Sequence, residues 1–291
     1  MAESNDEFPK VGAFTASLIG KLQRHPKRIV FTDGEDERVL RVAAEMVRLE
    51  VGVPILLGDV VAIRRMAEAA EIDLTFVKIL NPAEASDLDL FCSYLRKIER
   101  YRGVELANAC EVVEQPHYFA SMMIQYGQAD GLVGGNKSLP SSVFRPLRRV
   151  VKPVPKVPRI FSVAVLEAPH LAHFGSEGLL FLADCGMNAE LSVEQLAAMA
   201  VETGQLARIY FGRRPRVAFL SHSTHGSSPT PATQSLQAAT ELARQGVDSN
   251  EIEIDGELQA DVALDPTAAE IKLPNAAHKK PADVLIFPNL D

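Results

Sequence analysis

The stretch S-H-S-T-H-G-S-S, residues 221–228, gathers seven hydroxyl or imidazole side chains around Gly226. Three kinds of chemistry use such residues: a nucleophile with its base, a metal site, or a cradle for an anion. Ser–His catalysis needs groups adjacent in space, which sequence neighbours rarely supply, and no G-x-S-x-G turn is present. His222 and His225 lie three apart in an expected loop with no third ligand in view, so no metal is expected. The cradle fits best. The stretch joins the end of a strand, R-V-A-F-L (216–220), to a helical pattern over about 230–244. Small residues there let backbone N–H groups approach an anion, and the following helix adds its positive end. A plain helix-capping loop is the competing reading and stays open.

The surrounding elements alternate. R-I-V-F-T (28–32), V-P-I-L-L (53–57), V-K-I-L (77–80) and G-L-V-G-G (131–135) read as strands of a first half. Between them, helical periodicity sets Val39, Ala43, Met46 and Val47 on one face and recurs at about 61–70, 86–100, 104–112 and 116–126. The acidic run E-D-E-R (35–38) suits a helix start with capping and ion-pair duties. V-K-P-V-P-K-V-P-R (151–159) carries three prolines and reads as a connection between lobes 1–150 and 151–291. The second half repeats the alternation, with strands at 159–166, 178–184, 216–220, 252–254 and 283–288 and a long helix from Ser192 to about Tyr210. Strands alternating with helices predict an α/β fold with mainly parallel sheets and flanking helices. Ligands of such sheets bind at the carboxyl ends of strands, where 221–228 falls.

Composition narrows the partners. The formal net charge of −8 offers no long-range attraction to nucleic acid or an anionic membrane. No run of 18 apolar residues would span a bilayer, and the polar M-A-E-S-N-D-E-F-P-K opening is no secretory signal. The three cysteines, Cys92, Cys110 and Cys185, show no C-x-x-C spacing. The expectation is no disulfide framework and no zinc site, a reducing cytoplasmic setting, and a buried, inert Cys185. His170 and His173 are expected in an exposed loop.

Several stretches, taken in order, resemble the phosphotransacetylase family and the related C-terminal domain of some malic enzymes. They are R-I-V-F-T-D-G-E-D-E-R-V-L (28–40), V-P-I-L-L-G-D (53–59), A-D-G-L-V-G-G (129–135), F-R-P-L (144–147) and F-L-A-D-C-G-M-N (181–188). P-R-V-A-F-L-S-H-S-T-H-G-S-S (215–228), I-D-G-E-L-Q-A-D-V-A-L (254–264) and A-D-V-L-I-F-P-N-L (282–290) complete the set. The resemblance implies a two-lobed, isocitrate-dehydrogenase-like fold, usually dimeric, moving a short acyl group between acyl phosphate and coenzyme A. Coenzyme A is then a substrate, with no tightly bound cofactor and no metal. By the same resemblance Arg145 of F-R-P-L is a phosphate-binding guanidinium, whose fork holds two oxygens. Ser223, Thr224, Gly226 and Ser227 match the family's small-residue loop. Asp255, Glu257, Gln259 and Asp261 match its D-G-E-L-Q-x-D motif, where acidic groups either line the site or hold the fold by hydrogen bonds.

The sequence departs from the family in three places. In L-R-K-I-E-R-Y-R-G (95–103), Glu99 stands where the family has an arginine, and Arg100 or Arg102 is the available substitute. The loop after A-D-G reads G-G-N-K-S-L-P, with Ser138 at a position where the family carries histidine and Lys137 available to an anion. The family's closing serine–arginine pair and following aspartate, assigned to transition-state stabilisation and thiol deprotonation, have no counterpart before the final P-N-L-D, so the catalytic residues stay unassigned. The strand D-V-L-I-F-P is accordingly expected to end a sheet that lacks its last partners. A coenzyme A or acyl phosphate binding or regulatory protein without turnover is the alternative function. A pyridine-nucleotide dehydrogenase is disfavoured, because no G-x-G-x-x-G follows a strand.

Overall fold

The computed structural model describes residues 11–155, 157–175, 177–274 and 280–289. The opening decapeptide and the last two residues, on which two of the sequence readings fall, lie outside them. The chain forms two compact units, residues 15–152 and residues 153–291 together with the N-terminal stretch through Phe14.

After α1 (Ala13–Arg24), the first unit runs β1 (Lys27–Phe31), α2 (Glu37–Arg48), β2 (Gly52–Leu57), α3 (Val60–Ala69) and β3 (Lys78–Leu80). It continues through α4 (Leu88–Tyr101), α5 (Ala109–Val113), α6 (Pro116–Gln125), β4 (Gly131–Val133) and α7 (Pro140–Val150). The four strands pair in the order β3-β2-β1-β4, all parallel. Parallel strands covered on both faces need continuous apolar runs. Val30, Phe31, Ile55, Leu56 and Leu57 supply them and are buried. Asp36 caps α2 by accepting from the Arg38 N–H, as the E-D-E-R run predicts, and Val39, Leu40 and Ala43 turn into the core. The strand order reverses between β1 and β4, so the loops after these two strands flank the topological switch point, the usual ligand position of an open α/β sheet.

The second unit runs β5 (Val163–Glu167), β6 (Leu179–Ala183), α8 (Val193–Phe211), β7 (Arg216–Leu220) and α9 (Pro231–Gln245). β8 (Glu253–Leu258), α10 (Ala260–Leu264), α11 (Pro266–Lys272) and β9 (Val284–Ile286) follow. Its sheet order is β5-β6-β9-β7-β8, parallel except for the β5–β6 pair. Ser192 and Gln195 close a capping box on α8, and Gly212, at φ 63°, ends it in the left-handed region. Thr230 caps α9, with Pro231 in its first turn. Phe181, Phe219, Val284 and Ile286 are fully buried at the centre of this unit's core.

Four expectations need correction. β9 does not end the sheet: it lies between β6 and β7, paired on both sides, because its three apolar residues are the most buried kind of strand. Cys92 and Cys110 are joined in a disulfide. Their spacing gave no sign of it, since α4 and α5 bring together residues 18 apart in sequence. Cys185 is exposed and free, carried outward just after β6. The helix expected from residue 104 begins at Ala109. Conversely α1, α7, α10 and α11 form where no helix was expected, three of them only five to eleven residues long. His170 and His173 are exposed, as expected.

Candidate functional site

In the second unit, loop 221–228 leaves β7 and folds down onto β8. Its backbone donors turn inward. The N–H of Ser221 reaches Leu258 O at 2.8 Å, that of His225 reaches Glu257 O at 3.0 Å, and that of Ser227 reaches Thr224 O at 3.0 Å. Thr224 N–H donates to Ser227 Oγ at 3.0 Å, and Ser228 N–H to Ser223 Oγ at 3.0 Å. At the centre sits Glu257, completely buried. Its Oε1 accepts from Gly226 N–H at 2.8 Å and from Ser223 Oγ–H at 2.7 Å. Burial alone pushes the Glu257 carboxyl up. Donation from Gly226 and Ser223, with the nearby Gln237 amide, outweighs that and holds it below the usual glutamate range. The anion in this cradle is the chain's own carboxylate. Gly226, at φ 82°, supplies the left-handed turn that aims its N–H at Glu257.

The other D-G-E-L-Q-x-D residues are also partnered. Asp255 accepts from Arg244 at 2.9 Å and pairs with His225 Nε2 at 3.0 Å. Gln259 donates its N–H to Thr224 Oγ1 at 3.0 Å and accepts from Lys272 Nζ at 2.9 Å. Lys272 also bridges to Asp261 at 2.7 Å. The geometry of the motif is therefore that of a lock between β8 and the loop after β7. Asp184, which follows β6, does the same locally: it accepts from the N–H groups of Ser162, Gly186, Met187 and Asn188 and from the Ser162 hydroxyl. Burial opposes its ionisation, and these donors overcome it to lower its pKa.

In the first unit, Arg145 projects from α7 into an open depression of about 360 Å³ lined by Arg102, Tyr118, Arg145, Arg148 and Arg149. Arg145 and Arg148 are exposed and make no ion pair among the described residues. Arg149 is held from below. Its guanidinium makes two hydrogen bonds to Glu99, at 2.8 and 2.7 Å, and a third to Tyr118 Oη at 3.0 Å. Hydrogen bonding to Arg149 keeps the buried Glu99 ionised below its ordinary range, against the cost of burial. Glu99 thus anchors the arginines. Arg102, 3.2 Å from Glu99, is the basic residue of the 95–103 stretch that reaches this depression. Arg100 faces another surface, beside Arg96, Lys97 and Tyr101.

At the switch point between β1 and β4, Asp33 accepts the N–H groups of Gly135 and Asn136 at 2.9 and 3.2 Å and shapes the loop after β4. Lys137 donates to Glu35 O at 2.6 Å, which leaves two of its three N–H donors for a ligand. Ser138 Oγ lies 3.1 Å from His117 Nε2, at the start of α6. His117 was not anticipated. The two residues are 21 apart in sequence, and only the packing of α6 beside the post-β4 loop joins them.

A profile of the family described as "Phosphate acetyl/butaryl transferase" matches residues 13–291. A phosphate acetyltransferase of Thermoanaerobacterium thermosaccharolyticum is 34% identical over 274 residues, covering 94% of this chain and 82% of that protein. One from Staphylococcus aureus is 34% identical, covering 94% and 81%. Among solved structures, the EutD phosphotransacetylase from Staphylococcus aureus superposes with a TM-score of 0.80 at 32% identity, over 96% of this chain and 84% of the other. A phosphotransacetylase from Streptococcus pyogenes gives 0.83 at 30% identity, over 94% and 82%. With the profile spanning both units and the relatives above 30% identity, the chain belongs to the phosphate acetyl/butyryl transferase family.

Proposed function

We propose that the protein transfers an acetyl or other short acyl group between acyl phosphate and coenzyme A. The observation that carries this reading is the family match across residues 13–291, and unpaired cations in the first unit support it. In the forward direction the coenzyme A thiol attacks the acyl carbonyl carbon. A C–S bond forms, the C–O bond to phosphate breaks, and the thiol proton ends on the released phosphate. The chain's part is to bind and orient. Arg145 and Arg148 offer guanidinium forks to phosphoryl oxygens, with Arg102 beside them and Arg149 fixed by Glu99. Lys137 adds an ammonium at the switch point. Loop 221–228 and residues 255–261 act as a rigid support whose exposed side chains, His222 and Ser227 among them, face solvent. Charge placed this way stabilises the phosphoryl group as the carbonyl oxygen and leaving oxygen gain negative charge.

In this reading the lobes divide near residue 150, coenzyme A is a diffusible substrate, and the protein works as a cytoplasmic homodimer. No helix among the described residues is long and apolar enough to cross a membrane, and none of their acidic, histidine and cysteine side chains cluster as a metal site. The Cys92–Cys110 bond removes cysteine spacing as an argument for a reducing setting, so the location rests on the substrates.

The test is thioester formation from acetyl phosphate and coenzyme A, with butyryl phosphate in parallel. Turnover is expected, and Arg145→Ala raises the KM for acyl phosphate about tenfold or more. A folded protein that binds both substrates without forming thioester would overturn the proposal.

A further inference from the structure

We infer that His117 and Ser138 form a phosphoryl-binding pair at the switch point of the first sheet, with His117 positioning the Ser138 hydroxyl as a donor to a phosphoryl oxygen beside Lys137. The inference rests on the acyl phosphate reading above for the identity of the ligand. It rests on geometry for the pair itself.

Three observations lead to it. The loop after β4 lies where ligands of open α/β sheets bind, because the strand order reverses between β1 and β4. That loop is held in place from below: Asp33 takes the Gly135 and Asn136 N–H groups, and Lys137 reaches back to Glu35 O. A shaped loop with an ammonium and a hydroxyl on adjacent residues is suited to an anion, while Asp33, already engaged, faces its backbone. The third observation fixes the direction of the hydroxyl. His117 has only two ring nitrogens for hydrogen bonding. Nε2 lies 3.1 Å from Ser138 Oγ, and Nδ1 is buried with no partner among the described residues.

A buried N–H with no acceptor is rarer and costlier than a buried lone pair with no donor. The arrangement therefore selects the tautomer with its hydrogen on Nε2, donated to Ser138 Oγ. With that oxygen accepting from the ring, the serine hydrogen is free to point away from His117. Protonating the ring would place an unpaired N–H at Nδ1, in keeping with burial lowering the pKa of His117 even though Asp33 pulls the other way. Asp33 is the charged group that acts on the ring, and no described residue bonds Nδ1. His117 is a positioning residue here. Ser138 and Lys137 meet the ligand.

The experiment combines nitrogen NMR of the ring with binding of inorganic phosphate by calorimetry, which needs no turnover, and with acetyl phosphate kinetics. The ring is expected in the Nε2–H tautomer at pH 7. Ser138→Ala should weaken phosphate binding and raise the acetyl phosphate KM by about tenfold, leaving the coenzyme A KM unchanged. His117→Leu should match it. His117→Gln, whose side-chain amide can donate from the place of Nε2, should restore binding to within about threefold, and the double variant His117→Leu/Ser138→Ala should be no worse than Ser138→Ala. An Nδ1–H tautomer, unchanged phosphate binding in Ser138→Ala, or a His117→Gln variant as weak as His117→Leu would each overturn the pair. If His117→Leu does not fold, the tautomer with Ser138→Ala and His117→Gln decides. Absence of turnover in every protein, with phosphate binding following the pattern above, would count against the acyltransferase reading and leave the pair standing.

Discussion

Replacing Glu257 tests the claim that loop 221–228 is closed around an internal carboxylate. In Glu257→Ala, the Gly226 N–H loses its acceptor at 2.8 Å and has no other. An unsatisfied buried donor costs about 1–3 kcal/mol. The Ser223 hydroxyl loses a charge-assisted bond at 2.7 Å, worth about 1.5–3 kcal/mol, but it can turn to Ser227 Oγ at 3.4 Å and recover part of that. A cavity where the side chain stood adds to the cost, and relief from burying a charge offsets some of it. The sum is about 3–5 kcal/mol, concentrated where the loop meets β8. Glu257→Gln keeps an oxygen for both donors and loses only the assistance of the charge, about 1–2 kcal/mol. Because a two-unit chain need not unfold in one step, the assay is hydrogen exchange across the peptide spanning residues 216–230, not a global melt. Glu257→Ala should speed exchange there by roughly a hundredfold or more and Glu257→Gln by about tenfold, with the first unit unaffected. Equal effects from the two variants, or no change in Glu257→Ala, would refute the reasoning.

Three further outcomes are expected. Glu99→Ala should destabilise the first unit by about 3 kcal/mol, because the half-buried Arg149 loses both carboxylate bonds and keeps only Tyr118; a loss under about 1 kcal/mol in exchange of α4 and α7 amides would contradict this. Thiol titration of the native protein should find one reactive cysteine, Cys185, and reduction of the Cys92–Cys110 bond should lower stability by about 3 kcal/mol from the freed loop; three native thiols would sink it. Acid should weaken the fold: Asp36 is lowered to about 2 by the Arg38 guanidinium, and Glu99, Asp184 and Glu257 are also lowered. Since the unfolded chain binds more protons in that range, these groups stabilise fully above about pH 5, and the contribution is lost as pH falls toward 2. A flat unfolding midpoint between pH 5 and pH 3 would be inconsistent with them.

Much of the architecture was legible because its signals are local. The strand over 216–220 and the helices after Ser192 and Thr230 follow from apolar runs, a capping serine and a proline in the first turn, and all appear within a residue or two. The short helices α10 and α11 lack a full period of apolar positions, and α7 has Pro146 inside it, so none announced itself. The place of β9 depended on which strands pair, a long-range fact that three apolar residues cannot encode. The disulfide failed for the same reason, and so did His117. Nothing in Q-P-H-Y marks a partner 21 residues away. Among the candidate residues, Arg145 is named through the family resemblance alone, and that it makes no ion pair among the described residues is visible only in the structure. That Arg102 rather than Arg100 lines the same depression depended on the direction of one turn of α4.

The candidate loops share a feature that reassigns the binding role within them. Each combines glycine and small polar residues next to a strand of a largely parallel sheet, the composition that suggests an anion cradle. Each is closed by a carboxylate of the chain itself. Asp33 takes the N–H groups of Gly135 and Asn136, Asp184 those of Gly186, Met187 and Asn188, and Glu257 that of Gly226. A phosphate arriving at these N–H groups would have to displace a carboxylate already held by them and would meet its negative charge. Backbone donors therefore build the loops, and in the acyl phosphate reading proposed above recognition of the anion falls to side chains. In the first unit the candidates are the guanidinium groups of Arg145 and Arg148, which make no ion pair among the described residues, two N–H donors of Lys137, and Ser138, whose oxygen lies 3.1 Å from His117 Nε2. Of these groups, Lys137 and Ser138 sit on a loop that Asp33 already holds, so in this reading less loop ordering remains to oppose binding there.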